Sequence, residues 1–166
     1  MEKKIRAGVL TVSDKASRGA RNDESGKIVI RMLEDNSFLV SQKKVIPDDY
    51  RQIVDTLNKW VDIDRLRLIV TSGGTGLSPT DVTPQAMGKV IDYEVPGMAE
   101  AMRAASLKKT PHAMISRAIA GVRKSCLIIN LPGSPGGARD NLFVILPALN
   151  HAISKLGGDT SDCGNT

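Results

Sequence analysis

The sequence predicts an α/β fold in which helices cover a largely parallel β-sheet. Short apolar, β-branched segments alternate with amphipathic helical segments along the 166 residues, a pattern typical of parallel sheets. Apolar residues make up 41% of the chain and aromatic residues only 3%, so the core is expected to be aliphatic. The length suits one domain of about 150 residues. We predict that domain over residues 1–158, followed by a flexible tail over residues 159–166.

Five short apolar segments predict β-strands. Each is rich in aliphatic or β-branched residues and is bounded by glycine, proline or polar residues. In chain order they cover residues 5–13, 38–46, 67–71, 115–121 and 126–131. The first strand ends at Ser13-Asp14, the second at Pro47, and the third in a glycine-rich loop that begins at Ser72.

Segments with apolar residues at helical spacing lie between and after these strands. In chain order they predict helices over residues 25–33, 49–61, 83–91, 98–107 and 138–156. Thr83-Pro84 predicts the start of the third helix, with Thr83 as its cap and Pro84 at the first helical position. Residues 14–24 are polar and contain glycine, which predicts a loop.

Composition and charge bear on the class of protein and on its partners. Basic residues outnumber acidic ones by 23 to 18, and the resulting net charge of +5 favours an anionic ligand. Base-stacking aromatic residues are nearly absent and no nucleic-acid-binding motif is present, so we predict no nucleic-acid partner. No apolar run approaches the roughly 18 residues of a membrane span. Two cysteines, Cys126 and Cys163, are too few for a disulfide scaffold, which favours a cytoplasmic location.

Two glycine-rich loops each follow a predicted strand and precede a helix. They are SGGTGLSP at residues 72–79 and PGSPGG at residues 132–137. At the carboxyl ends of parallel strands such loops often bind ligands, because glycine lets the backbone approach an anion and donate N–H groups to it. Neither loop matches the P-loop or dinucleotide fingerprints. A tight turn without a ligand explains either loop alone about equally well.

Three aspartates lie at element boundaries: Asp14, Asp48 and Asp81. A phosphate site that uses Mg²⁺ needs one or two carboxylates in addition to the phosphate oxygens. Each aspartate also fits as a helix cap or turn residue, most readily Asp48, which directly precedes a helix. Asp81 is harder to explain as a cap because Thr83 already offers one. Taken singly, each is more often structural than catalytic.

Basic residues are concentrated between Glu100 and Asp140. This segment has no acidic residue and seven basic ones: Arg103, Lys108, Lys109, Arg117, Arg123, Lys124 and Arg139. A solvated basic face is the usual reason for such an excess. Because the segment leads into the second glycine-rich loop, we instead interpret it as favouring a di- or triphosphate ligand.

The ordered motifs resemble those of the MogA/MoaB family of molybdenum-cofactor biosynthesis proteins, which includes the G domain of gephyrin. In this sequence they are TVSD at 11–14, IPD at 46–48, TSGGTG at 71–76, DVTP at 81–84, EVPGM at 94–98, SR at 116–117 and NLPGS at 130–134. The resemblance covers residues 5–156. It implies a three-layer α/β/α fold that assembles as a homotrimer or a hexamer.

The resemblance also implies an activity, that of a molybdopterin adenylyltransferase. Such a nucleotidyltransferase uses Mg²⁺ and ATP to convert molybdopterin into adenylyl-molybdopterin and pyrophosphate. Asp48 and Asp81 are then the catalytic residues and the Mg²⁺ ligands. The residues implied to bind the substrates are Ser13, Asp14, Ser72, Gly73, Gly74, Thr75, Gly76, Glu94, Pro96, Gly97, Ser116, Arg117, Pro132, Gly133, Ser134 and Gly136. An enzyme that inserts molybdenum is an implied partner.

Two features depart from the MogA pattern. The loop after Gly133 leads straight into the last helix, as in MoaB, and Thr80 stands where many members carry arginine. The alternative function is therefore a carrier or scaffold protein of the same pathway that binds molybdopterin without turnover. The presence of both Asp48 and Asp81 favours the enzyme, since a pterin carrier needs no metal site.

Overall fold

Six strands form one β-sheet at the centre of the molecule. The computed structural model describes residues 4–161. In chain order the strands are β1 (Arg6–Val12), β2 (Leu39–Ile46), β3 (Leu68–Ser72), β4 (Tyr93–Glu94), β5 (Ala120–Arg123) and β6 (Cys126–Leu131). Across the sheet their order is β2-β1-β3-β6-β5-β4. Strands β2, β1, β3 and β6 are parallel and β5 is antiparallel to both of its neighbours, which confirms a largely parallel sheet.

Helices cover both faces of this sheet. They are α1 (Asp14–Ser17), α2 (Glu24–Asp35), α3 (Tyr50–Asp62), α4 (Thr83–Val90), α5 (Pro96–Leu107) and α6 (Pro135–Leu156). Helices α2, α5 and α6 contribute to one hydrophobic core, and α3 and α4 contribute to the other. In β3, Leu68 and Val70 belong to the first core and Ile69 to the second, because successive strand side chains point to opposite faces. The predicted three-layer α/β/α fold is confirmed.

Two serine caps start helices at positions that the sequence analysis did not predict. The prediction of a loop throughout residues 14–24 is wrong, because Ser13 accepts a hydrogen bond from the Ala16 N–H and starts the short helix α1. Helix α6 begins at Pro135 rather than at residue 138, because Ser134 accepts a hydrogen bond from the Gly137 N–H. Both starts are typical serine caps.

The prediction of a single strand over residues 115–121 is also wrong. Thr110 accepts a hydrogen bond from the His112 N–H, and the 3₁₀ helix Pro111–Ile115 follows. Strand β5 begins only at Ala120. The pair Thr110-Pro111 is a helix-start signal of the same kind as Thr83-Pro84. It indicates from the sequence that a helical segment begins here.

Some predictions concern membrane contact and the tail. Among residues 4–161, no helix has the length and hydropathy needed to cross a bilayer. The predicted tail falls largely on residues 162–166, which lie outside the described residues, as does Cys163.

The buried thiol of Cys126 gives a test of the core. Cys126 is 1% exposed, and burial raises the pKa of its thiol to about 12. Because the thiolate is the reactive form, we expect iodoacetamide at pH 8 to leave Cys126 unmodified in the native protein and to modify it in denaturant. Peptide mass mapping measures both. Native labelling of Cys126 at the rate seen in denaturant would contradict the packing of β6.

Candidate functional site

The carboxyl ends of β1, β2, β3 and β6 meet at one edge of the sheet. Strand β1 lies between β2 and β3, so the chain leaves β1 to one side for β2 and returns to the other side for β3. Ligands of open α/β sheets bind at such a switch point. A cavity of about 560 Å³, here called the strand-end cavity, opens at this position.

The SGGTG loop spans residues 72–76, and its first three residues form one wall of the strand-end cavity. Gly73 has φ 100° and Gly74 has φ 67°, both in the left-handed region that favours glycine. A Cβ atom on Gly73 would collide with the Val12 carbonyl oxygen at the end of β1. The Gly73 N–H donates to the Leu131 carbonyl (3.0 Å) at the end of β6. Glycine at residue 73 therefore lets the loop pass directly between two strand ends.

The predicted role of Gly73 in binding a substrate through its backbone N–H is not supported. The Gly73 N–H already has a partner in Leu131, so it is not available to a ligand. Among the described residues, no acceptor pairs with the N–H groups of Gly74, Thr75 and Gly76. These three groups are the ones that could donate to an anion.

Asp48 is not the cap of α3. Asp49 has that role, since its side chain accepts a hydrogen bond from the Gln52 N–H (2.8 Å). Asp48 instead exchanges hydrogen bonds with Asp14: each carboxylate accepts from the other's backbone N–H at 3.0 Å. This reciprocal pair joins the ends of β1 and β2. Asp48 lines the strand-end cavity and Asp14 does not.

Electrostatics make Asp48 unusual among the acidic residues. Burial raises the pKa of the Asp48 carboxyl above its usual value. The hydrogen bond from the Asp14 N–H opposes the rise, and the negative charges of Asp14 and Asp81 add to it. The ionised form of Asp48 would therefore be stabilised by a cation placed beside it.

Asp81 lies at the other end of the SGGTG loop. Its carboxylate accepts a hydrogen bond from the Ser78 N–H (3.0 Å). A Cβ atom on Gly76 would lie 2.8 Å from Asp81 Oδ2, and one on Gly74 would lie 3.4 Å from Asp48 Oδ1. The two carboxylates therefore flank the loop, and both line the strand-end cavity.

The strand-end cavity is acidic, which the net charge of the chain does not predict. Of the residues that the structure describes, one basic residue, Arg21, lines it together with four acidic ones: Asp23, Glu24, Asp48 and Asp81. Asp23 is held by hydrogen bonds from the Thr11 hydroxyl (2.8 Å) and the Gly26 N–H (2.9 Å). Sequence reasoning missed Arg21, Asp23 and Glu24, because their loop has no recognised motif.

The basic segment between residues 100 and 140 does not supply the expected phosphate contacts in this cavity. Several of its residues form salt bridges with acids outside the segment: Lys109 and Arg139 with Asp140, and Arg123 and Lys124 with Asp62. None of the seven basic residues lines the strand-end cavity. Much of the excess of basic residues in this segment is thus compensated in three dimensions.

Arg117 positions the loop. Its guanidinium donates to the Gly76 carbonyl (2.8 Å) and to the Asp81 carbonyl (2.7 Å), and its backbone N–H donates to the Thr75 carbonyl (2.9 Å). It lines neither the strand-end cavity nor the smaller cavity described next. The guanidinium therefore fixes the distance between the SGGTG loop and Asp81.

A smaller cavity of about 240 Å³, here called the side cavity, lies on the other side of the SGGTG loop. The predicted residues in its lining are Thr75, Gly76, Ser116, Pro132 and Ser134. Ser134 lines both cavities, so they adjoin. Arg103, one of the seven residues of the basic segment, also lines it, and residues that the prediction missed are Ser106, His112 and Asn141, on α5, the 3₁₀ helix and α6.

Other predicted residues lie away from both cavities. Glu94 belongs to β4, Pro96 and Gly97 begin α5, and none of the three lines either cavity. Gly136 lies in the first turn of α6 and lines neither cavity. Their predicted role in substrate binding is not supported by their position.

Buried side-chain oxygen atoms without hydrogen-bond partners lie in and next to the SGGTG loop. Among the described residues, the Ser72 and Thr83 hydroxyls and Asn130 Oδ1 make no hydrogen bond and are buried. The predicted cap role of Thr83 is wrong, because Val82 is the N-cap and Thr83 begins α4. A Cβ atom on Gly74 would collide with Thr83 Oγ1, so this hydroxyl lies against the loop. Native proteins rarely leave such atoms unpaired, and functional sites are a common exception.

The acidic side chains limit the kind of metal site. No group of three or more histidine, cysteine, aspartate and glutamate side chains in residues 4–161 is arranged to hold a metal ion. Asp48 and Asp81 could hold Mg²⁺ as a pair, because that ion commonly binds one or two carboxylates together with substrate phosphates.

Comparisons with known proteins agree with this geometry. A family model described as "Probable molybdopterin binding domain" matches residues 8–151. Molybdopterin adenylyltransferase of Helicobacter pylori J99 is 39% identical over 93% of this chain and 89% of its own length. Gephyrin of Dictyostelium discoideum is 40% identical over 90% of this chain, which spans only 22% of that protein. The crystal structure of the molybdopterin biosynthesis enzyme MoaB of Thermus thermophilus has a TM-score of 0.88 and 48% identity, covering 93% of this chain and 98% of its own.

Substitution of Gly73 tests the geometry of the loop. Gly73→Ala combines a left-handed φ with a collision against the Val12 carbonyl. We expect it to lower the free energy of unfolding by at least about 2 kcal/mol, as measured by urea denaturation. The control is Gly88→Ala within α4, where a Cβ atom would meet nothing within 4 Å. Equal stability of the two variants would contradict the loop geometry.

Proposed function

The chain belongs to the family of molybdopterin-binding domains that includes MogA and MoaB, and on that premise we propose that it is a molybdopterin adenylyltransferase of molybdenum-cofactor biosynthesis. The observation that carries the proposal is the position of the SGGTG loop. The loop separates two adjoining cavities, and one of them contains both Asp48 and Asp81. Two substrates bound on either side of this loop would meet at its backbone.

The proposed reaction transfers the adenylyl group of ATP to molybdopterin. A terminal phosphate oxygen of molybdopterin attacks the α-phosphorus of ATP, a P–O bond forms, and the bond to pyrophosphate breaks. Such reactions need little covalent help from the protein, so positioning and charge neutralisation dominate. The chain supplies the N–H groups of Gly74, Thr75 and Gly76 as donors to phosphate oxygens, held in place by Arg117.

We assign ATP to the strand-end cavity and molybdopterin to the side cavity. The strand-end cavity, of about 560 Å³, is the larger of the two, and its lining includes Ser13, residues 72–74 of the SGGTG loop and Gly133. The side cavity has a more apolar lining and offers Arg103, Ser116 and Asn141 as polar groups. This mixture of apolar surface with a few polar groups is typical of sites for small organic ligands.

Charge in the strand-end cavity supports a role for Mg²⁺. A triphosphate would enter a cavity with four carboxylates and one arginine, which repels an anion unless a cation accompanies it. Asp48 and Asp81 would hold the ion, and their oxygen donors suit it. When bound, Mg²⁺ neutralises charge on the phosphate oxygens.

The resemblance extends the proposal to assembly and partners. We propose a homotrimer or hexamer, a cytoplasmic location, and transfer of the product to the enzyme that inserts molybdenum. Met114 and Phe143 are 70% and 71% exposed, and methionine and aromatic residues are enriched at protein–protein interfaces.

An adenylylation assay tests the two catalytic aspartates. The protein is incubated with molybdopterin, Mg²⁺ and ATP labelled at the α-phosphate, and adenylyl-molybdopterin and pyrophosphate are measured. We expect Asp48→Asn and Asp81→Asn each to lower kcat at least about 100-fold, the scale of losing one group that offsets developing charge. Asp49→Asn is the matched control: it is adjacent to Asp48, caps α3, and asparagine caps equally well.

The assay also separates the enzyme from the alternative. Full activity in Asp48→Asn or Asp81→Asn would remove that residue from the catalytic role. Tight binding of molybdopterin by the folded wild-type protein, with no adenylylated product, would instead assign a carrier function.

Arg21 gives a second test of the strand-end cavity. Because no other basic residue in the described part of the chain lines this cavity, Arg21 should contact the phosphates of ATP. We expect Arg21→Ala to raise the KM for ATP about tenfold, the effect of losing one charge-assisted hydrogen bond, with a smaller change in kcat. The control is Arg18→Ala, an exposed arginine of the same loop that does not line the cavity. Equal KM values for the two variants would contradict the assignment of ATP to this cavity.

A further inference from the structure

Another concave region lies at the opposite end of the sheet, beside the amino ends of β1 and β3. A hollow of about 520 Å³ opens there, next to the turn between β5 and β6. Among residues 4–161, five basic residues and no acidic residue line it: Lys4, Arg6, Arg65, Arg67 and Lys124. This region is called the basic hollow. Its volume falls within the range of small-molecule sites, about 300–1,000 Å³.

Backbone carbonyls hold two of the arginines in place. Arg6 Nη1 donates to the Asp64 carbonyl (2.9 Å). Arg67 donates through Nε to the Ser125 carbonyl (2.8 Å) and through Nη2 to the Ile153 carbonyl (3.1 Å). These bonds orient the guanidinium groups without cancelling their charge. An oriented guanidinium is well suited to phosphate, which it can bind through two parallel hydrogen bonds.

Most of the positive charge in the basic hollow is uncompensated. Among residues 4–161, only Lys124 of the five forms a salt bridge, to Asp62 (2.7 Å), and Asp62 also pairs with Arg123. Like charges that converge on a concave surface repel one another and raise the local concentration of anions. A multiply charged anion would relieve that repulsion.

Backbone conformation gives an independent observation. Arg65 has φ 56° and Lys124 has φ 54°, in the left-handed region. Turns at such positions favour glycine or asparagine, and neither turn needs a basic side chain for its geometry. Unfavourable backbone conformations are often retained at functional sites. Here both occur at basic residues of the same hollow.

We propose that the basic hollow binds the phosphate chain of a small oligophosphate, at a site separate from the strand-end cavity. The fixed guanidinium groups of Arg6 and Arg67 bind phosphate oxygens, and Arg65 and Lys124 add charge from the two turns. Two sources carry this chemistry: a free inorganic oligophosphate, or the phosphate tail of a nucleotide. Ile5, Leu66 and Ile153 in the lining would contact the remainder of a nucleotide.

Calorimetric titration of the full chain with inorganic tripolyphosphate tests the proposal. Divalent cations are left out, so that the four carboxylates of the strand-end cavity disfavour binding there. We expect one equivalent to bind, with an affinity that falls as salt is added. ATP titrated in the same buffer distinguishes the sources. Equal affinity means that only the phosphate chain is recognised, and tighter binding of ATP means that the apolar lining also contributes.

The test variant is Arg65→Asn/Lys124→Asn. Asparagine tolerates the left-handed backbone, and Asp62 keeps its partner Arg123, so the fold should be retained, as circular dichroism checks. We expect binding of tripolyphosphate to weaken at least about tenfold, since two charge-assisted contacts are lost. The control Lys89→Ala/Lys108→Ala removes the same charge from exposed residues outside the hollow.

Three results would overturn the proposal. The first is no binding of tripolyphosphate by the wild-type chain. The second is an equal loss of affinity in the control variant, which would mean that tripolyphosphate is attracted to the positive charge of the protein in general. The third is weaker binding of tripolyphosphate in Arg21→Ala but not in Arg65→Asn/Lys124→Asn. That result would place the anion in the strand-end cavity.

Discussion

The left-handed backbone of Gly73 and Gly74 is the constraint on which the rest of the site depends. It lets the SGGTG loop pass between the Val12 carbonyl at the end of β1 and the Leu131 carbonyl at the end of β6. From that position the loop separates the two cavities and presents unpaired N–H groups. Asp48 and Asp81 flank it, and Arg117 holds its far end. Without the glycine conformation these groups would not converge.

Charge is distributed unevenly between the two ends of the sheet. The chain carries a net charge of +5, yet the cavity at the carboxyl ends of the strands has four acidic residues and one basic residue. At the amino ends, the described residues that line the basic hollow include five basic ones and no acidic one. The overall charge is therefore a poor guide to the ligand of either site. What each site can bind is decided by which side chains the fold brings together.

Strand and helix patterns made most of the fold predictable, because apolar alternation directly reflects which residues face the sheet. The position of a charged residue in the sequence was less informative about what that residue does. Asp48 and Asp49 are adjacent, and only the structure shows that Asp49 caps α3 while Asp48 pairs with Asp14. The compensation of Arg123 and Lys124 could not be predicted because their acidic partner, Asp62, lies far away in the sequence. Arg21 could not be found because its loop carries no motif.

The contact between Gly73 and Gly133 limits which side chains position 133 can accept. A Cβ atom on Gly133 would lie 3.2 Å from Gly73 Cα, although the two residues belong to different loops. A mutant library that randomises position 133 alone therefore meets a steric limit set sixty positions earlier in the sequence. Directed evolution of substrate preference at this site would need to diversify both loops together, or begin from residues farther out in the cavity walls.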